Sequence, residues 1–389
     1  LFFHFLTKGK VPAFLGSSFA YLAGYAAIAP NGEAALLPYA CVGVAASGLL
    51  YLILAALVRG FGANRVMRFF PPVVTGPIII CIGMTLANSA INNCTGSWDI
   101  ALVAIITVIV FNIWGKGMLR IIPILLGVLV SYVYAAVTGR VDFSGVASAA
   151  WIGLPVKMEN TVFSLVGNCD VNLLVTAIIA IMPIAFATMI EHIGDICAIS
   201  STVGANFIAD PGLHRTLLGD GLATSIASLF GAPANTTYGE NTGVLALTRV
   251  YDPLVIRLAA VYAIIASFCP KFAALVSAMP TGTIGGVSLI LYGMISAIGV
   301  RNLVENRVDL AKSRNVIVVS LIISLALGIT FSAAGAITFH VGEFTLNFSG
   351  LAVAAIVGIV VNAILPGKDY DFQNDYEYGK TTEDHGQML

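Results

Sequence analysis

Twelve apolar runs, most of them about as long as a bilayer is thick, divide this 389-residue sequence. They lie at roughly 12–30, 34–58, 69–90, 100–115, 118–138, 171–197, 214–231, 234–250, 255–278, 282–300, 315–334 and 347–365. A helical span needs about 20 apolar residues, fewer where it is interrupted. Hydrocarbon offers no partner to a backbone N–H or C=O, so such runs must fold as helices or closed barrels. Charged residues make up 10% of the chain and hydrophobic ones 58%, against roughly 25% charged in a soluble domain. With a mean hydropathy of +0.93, little of the chain is left for a soluble domain. The fold class is an all-α polytopic membrane protein whose partner is the lipid bilayer. A net charge of −1 argues against nucleic acid as a partner. The six cysteines form no metal-ligand cluster and mostly sit in apolar runs, as small packing residues. A Cys94–Cys169 disulfide is the one pairing considered, and it is not favoured.

Lys and Arg set the orientation. With the loop of Lys8 and Lys10 in the cytoplasm and the runs alternating, 16 of 19 basic residues fall inside, leaving Arg140, Lys157 and Lys271 outside. One miscounted span would invert everything after it, so the asymmetry supports the count. The longest outside loop is then about 139–170, and the polar tail KDYDFQNDYEYGKTTEDHGQML is cytoplasmic. The start, LFFHFLTKGK, reads as a hydrophobic helix reaching a basic loop. It is expected to be an internal start that lacks at least one preceding span.

Two runs are too broken for plain lipid-facing helices. VPAFLGSSFAYLAGY and APANTTYGENTGVLAL are rich in Gly, Pro, Ser, Thr and Asn, and they cross in opposite directions under this count. Two inverted copies of one unit would give that arrangement, with unwound backbone near the midplane. Two acids stand in apolar runs: Glu191 in AIIAIMPIAFATMIEHIGDICAIS, and Glu240 within the second broken segment, GAPANTTYGENTGVLAL. A charge at mid-membrane costs several kcal/mol unless it is paired, protonated or facing water. Both are therefore candidate functional residues, and run 171–197 supplies no Lys or Arg to pair with Glu191.

GKVPAFLGSSFA, IEHIGD, DPGLHRTLLGDGLATSIASLFGAPANTTYGENTGVLALTRVYD and GGVSLILYGMISAIGVRNLVE together resemble the nucleobase–ascorbate transporter family, most closely its bacterial uracil-transporting branch. The similarity runs from Lys8 to about residue 365. It implies fourteen spans in two inverted seven-span repeats, about twelve of them here, with short strands in the two broken segments. The implied division is a core domain over 1–68 and 171–281, a gate domain over 69–170 and 282–366, and a cytoplasmic tail over 367–389. Position by position, the resemblance places the substrate-binding glutamates on Glu191 and Glu240. It places an aromatic contact on Phe19, backbone and flanking contacts on Gly239 and Tyr238, and a gate-domain aromatic on Tyr292. One position departs: the uracil branch carries a proton-linked histidine four residues after the first glutamate, where this chain has Asp195. An acid there looks more like the xanthine and urate branch, which usually has Gln-Asn where this chain has Glu240-Asn241. The xanthine or purine alternative therefore stays open.

The chemistry is consistent. Uracil offers two N–H donors and two carbonyl acceptors on a flat ring; carboxylates suit the former and backbone N–H groups at broken helices the latter. Glu191 and Asp195 are one helical turn apart on one face. Two acids that close do not easily both ionise, so Glu191, Asp195 and Glu240 are the candidate proton carriers and the proton is the expected coupling ion, with no other cofactor. A sodium ion would need several converging oxygens, an alternative the sequence leaves open. Plain alternatives stand beside each assignment. Glu191 could be a structural acid, Asp195 a backbone ligand, Glu240 a helix-start acid favoured by the dipole and Tyr292 interface packing. His192 faces about 100° away from Glu191 and reads as a polar-network residue, Asp220 as a structural contact, and Asn235, Thr236 and Thr237 as satisfying broken backbone.

The expected function is proton-coupled uracil import across the bacterial plasma membrane, with the C-terminus cytoplasmic and a homodimer an expectation for such transporters. A channel or a membrane enzyme is the alternative of another class. No HExxH, P-loop or Gly-x-Ser-x-Gly motif supports an enzyme.

Overall fold

The computed structural model describes residues 1–167, 169–341 and 344–368, without the side chains of Glu240, His340, Val341 and residues 344–346. Most of the expected tail, from 369 onward, lies outside the described residues. In chain order the elements are α1 (Phe2–Leu6), β1 (Leu15–Ser17), α2 (Leu22–Ile28), α3 (Leu37–Phe61), α4 (Ala63–Met67), α5 (Pro72–Cys94), α6 (Trp98–Trp114), α7 (Met118–Ile121), α8 (Pro123–Val137) and α9 (Ser144–Ser148). They continue with α10 (Val171–Ile181), α11 (Ala185–Val203), α12 (Leu213–Leu229), β2 (Asn235–Thr237), α13 (Gly239–Thr248), α14 (Pro253–Ser267), α15 (Pro270–Ser277), α16 (Thr281–Glu305), α17 (Ser313–Thr330), β3 (Ala336–Val341), β4 (Phe344–Ser349) and α18 (Gly350–Ile364). Each of the twelve apolar runs contains helix. Among the described residues, α3, α5, the α10–α11 unit, α16 and α17 are long and apolar enough to cross a membrane.

Prolines decide where several runs break. Pro123 and Pro183 open new helical pieces, because each removes an N–H and clashes with the preceding turn. Run 255–278, expected as one span, is two helices bent by 93°, with Pro270 at the start of the second. All six cysteines are free, so the Cys94–Cys169 disulfide does not form: Cys94 is buried and Cys169 exposed.

Small residues set the closest helix approaches. Lipid tails are as apolar as Leu, so helices in a bilayer associate through tight packing rather than water exclusion. A Cβ on Gly48 of α3 would lie 2.0 Å from Ser225 Oγ and 2.4 Å from the Gly221 carbonyl of α12. Between α5 and α16, a Cβ on Gly83 would lie 2.2 Å from the Tyr292 carbonyl, and one on Gly299 would lie 2.6 Å from Ile80 N. Hydroxyls bridge the same seams: Ser225 donates to the Ala45 carbonyl at 2.9 Å and Ser296 to that of Ile80 at 3.0 Å. The two seams hold α3 on α12 and α5 on α16, and they thereby fix where Tyr292 points.

Several basic residues tie neighbouring segments together. Lys10 pairs with Asp210, Arg215 donates to the Leu6 carbonyl, and Arg314 and the Arg68 carbonyl meet at Asn362. Arg140 binds Asp99, and Lys271 donates to the Val146 carbonyl. Every one of these contacts joins segments assigned to one side. The β3–β4 hairpin, absent from the sequence reading, packs its second strand against α10.

Candidate substrate site

The two broken segments meet. β1 and β2 pair antiparallel, with Leu15 opposite Thr237, Gly16 opposite Thr236 and Ser17 opposite Asn235. Two further backbone bonds extend the crossing, Ser18 N to the Ala234 carbonyl at 2.8 Å and Tyr238 N to the Phe14 carbonyl at 3.0 Å. Each strand gives the other's backbone the partners that an interrupted helix lacks. Each is followed at once by helix: a 3-10 turn from Phe19 leading into α2, and α13 from Gly239. Two helix starts, with N–H groups that have no partner inside their own helix and positive dipole ends, therefore flank one crossing.

α11 passes beside this crossing and brings its acids to it. Thr236 Oγ1 donates to Glu191 Oε2 at 3.2 Å, and Thr237 Oγ1 donates to Asp195 Oδ2 at 2.9 Å. Glu191 is 9% exposed and Asp195 3%, so both are withdrawn from bulk solvent. The threonines thus do more than satisfy broken backbone, the role expected of them: their hydroxyls hold the two carboxylates on the strand. Thr224 of α12 supports β2 from behind, accepting from Asn235 N at 3.2 Å.

Aromatic side chains close the other side. Phe19 lies edge-on to Tyr292 with ring centroids 5.2 Å apart, and near-parallel to Tyr238 at 6.4 Å and 14°. Tyr238 is anchored by its hydroxyl, which donates to the Ser17 carbonyl at 2.8 Å, and by Phe14 at 5.6 Å. Gly16 leaves the room this needs, since a Cβ there would stand 2.6 Å from the Tyr238 ring. At Gly239 a Cβ would meet Asp195 Oδ1 at 2.7 Å, so α13 starts directly against the second acid. Gly239 is the first residue of α13; Glu240 follows it in the helix, but its side chain lies outside the described residues. The structure therefore brings Glu191, Asp195, Phe19, Tyr238, Gly239 and Tyr292 together.

A cavity of about 340 Å³ lies on another side of the crossing, lined by Phe3, His4, Phe14, Asn235 and Arg257. None of Glu191, Asp195, Phe19 or Tyr292 lines it, so the site is defined by converging polar groups and rings. Sequence reasoning missed the Thr236 and Thr237 hydroxyls as partners of the acids. The signal was present, because the only other polar groups on β2 are Asn235 and backbone.

Comparison with known proteins agrees with this architecture. The profile of the Permease family matches residues 1–335. The chain belongs to that family. Uracil permease of Bacillus caldolyticus is 40% identical over 388 residues, covering 97% of this chain and 86% of that protein. Uracil permease of Bacillus subtilis is 38% identical over 393 residues, covering 98% and 86%, and that of Escherichia coli K12 is 35% identical, covering 94% and 82%. Among solved structures, the transmembrane domain of the cyanobacterial bicarbonate transporter BicA superposes with a TM-score of 0.58 at 13% identity, covering 93% of this permease and 88% of that chain. At that identity the likeness concerns the fold alone. This permease is a multi-pass membrane protein with the architecture of a transporter domain.

Proposed function

We propose that this permease imports uracil by proton symport, moving a core domain (1–68 and 171–281) against a gate domain (69–170 and 282–366) around a fixed site. The observation that carries the reading is the β1–β2 crossing, which places a buried carboxylate, two helix starts and three aromatic rings around one point. Relatives named uracil permeases at 35–40% identity support the choice of base.

Glu191 is the primary acceptor for uracil N–H groups, with a charge-assisted bond about twice as strong as a neutral one. Backbone N–H groups near Phe19 and Gly239 suit the carbonyl oxygens. Phe19, Tyr238 and Tyr292 cover the flat ring, and Glu240 supplies the second acid. Thr236 holds Glu191 in register. Protonation of Glu191, Asp195 or Glu240 neutralises an acidic, dry site before it moves, which is why a proton suits this site as the coupling ion. The site lies in the bacterial plasma membrane, with the C-terminus cytoplasmic, and the protein works as a homodimer.

A second reading, a xanthine or purine permease, is favoured by Asp195, an acid seated one turn from Glu191 and held by Thr237. Uptake of radiolabelled uracil and xanthine by the full-length protein, in cells lacking their own permeases, separates the two. Uracil accumulation that unlabelled xanthine leaves untouched, and that Glu191→Gln removes, supports the reading. Accumulation of xanthine overturns the substrate assignment, and equilibration without accumulation overturns symport in favour of a channel.

A further inference from the structure

The interior behind the acids holds a second polar cluster that uracil binding does not use. His192 directly follows Glu191 on α11, but it turns into α12, where its Nδ1 lies 3.0 Å from Asp220 Oδ2. Both side chains are fully buried. Phe3 of α1 and Tyr51 of α3 each stand edge-on to the His192 ring, at 6.4 and 6.3 Å. Tyr21, from the first broken segment, and Thr188, one turn before His192 on α11, are also fully buried. The titratable groups around the pair are therefore Glu191 and Asp195 on its own helix, Asp220 on α12, Tyr51 on α3, Tyr21 on the first broken segment, and His4 beside Phe3 on α1.

Electrostatics restricts the state of this pair. An isolated charge in a dry interior is strongly unfavourable, and a single unpaired member of a buried pair is worse than either neutral arrangement. Imidazolium with carboxylate, or imidazole with carboxylic acid, each hold one shared proton and no net charge. Neutral imidazole beside a bare carboxylate would leave a negative charge one residue from Glu191.

We propose that His192 and Asp220 are a positioning pair for Glu191. By sharing one proton they hold α11 on α12 with Glu191 turned to Thr236, and they leave Glu191 as the group whose charge changes when substrate and proton bind. The inference rests on the uracil-transport reading and deepens it. Stripped of His192, Asp220 becomes a second titrating acid beside Glu191, and once it ionises it raises that acid's proton affinity by like-charge repulsion. A neutral amide pair at both positions has no such effect.

The test is uracil binding by purified full-length protein across about pH 5 to 9, for wild type, His192→Gln, Asp220→Asn and the double variant. His192→Gln is expected to move the pH midpoint of binding upward by about one unit, Asp220→Asn to move it much less, and the double variant to return it to the wild-type value. A purely structural role predicts weaker binding with an unmoved midpoint and a double variant worse than either single; that result overturns the proposal. If His192→Gln is too poorly folded to assay, the double variant decides. Folded, binding protein with the wild-type midpoint supports the pair, and a double variant that fails to fold or bind overturns it. Wild-type protein that binds xanthine and not uracil defeats the transport reading instead, and the same four variants then test the pair with xanthine as the probe.

Discussion

Replacing Gly239 by alanine tests how tightly the second broken helix is seated on the site acids. The new methyl would lie 2.7 Å from Asp195 Oδ1 and 3.3 Å from Ile298 Cδ1. To reach the 3.4 Å of ordinary contact the carboxylate must retreat by about 0.7 Å. Its other oxygen accepts from Thr237 Oγ1 at 2.9 Å, and a retreat of that size stretches this bond past useful length. Losing a hydrogen bond to a charged group costs about 1.5–3 kcal/mol. Alanine returns up to about 1 kcal/mol of helix propensity. Where it falls on the site, the net cost of about 0.5–2 kcal/mol corresponds to a fall of about 2- to 30-fold in uracil affinity. Because Gly239 also flanks the proposed base, the cause is isolated by a double-mutant cycle with Asp195→Ala, read as melting temperature of purified protein in detergent. Gly239→Ala should lower the melting point in the wild-type background and change it little once Asp195 is truncated. An equal loss in both backgrounds, or wild-type affinity in the single variant, refutes the packing argument.

Other outcomes follow from the same geometry. Thr236→Val keeps the shape but removes the donor to Glu191 at 3.2 Å; uracil affinity measured by equilibrium binding should fall about tenfold, with the protein still folded. Gly48→Leu places bulk where even a Cβ would sit 2.0 Å from Ser225 Oγ, so α3 and α12 cannot close and size-exclusion profiles should show no monodisperse protein. Lys10 beside Asp210 holds that exposed carboxyl below its usual range. A depressed value means the pairing is complete above the unfolded value of about 3.9 and is lost only at lower pH. Asp210→Asn should therefore leave the shape of the uptake profile unchanged between about pH 5 and 8.

The features legible in the sequence were those that a bilayer forces on a chain. Apolar length located helix in every run, and the Gly, Pro, Ser and Thr content of 12–30 and 234–250 marked the two segments whose strands pair. An acid in run 171–197, which has no Lys or Arg, pointed to Glu191, now found held by Thr236. What stayed hidden depends on which side of a helix or strand meets which neighbour. Asp220 looked like a minor contact until α12 packed beside α11 and set it 3.0 Å from His192. Cys269-Pro270 lies in a run apolar enough to read as one span, yet the missing proline N–H allows a 93° bend. The β3–β4 hairpin had no counterpart in the sequence reading, because its strands are short and pair with each other.

The central claim is that Glu191, held at the crossing of two broken helices, couples uracil movement to a proton. The direct measurement is uracil uptake by the full-length protein in liposomes with an imposed inward proton gradient and no other ion gradient. Wild type is expected to accumulate uracil above the external concentration and to lose that accumulation with a protonophore, and Glu191→Gln is expected to accumulate none. Accumulation that survives the protonophore, or that persists in Glu191→Gln, contradicts the claim.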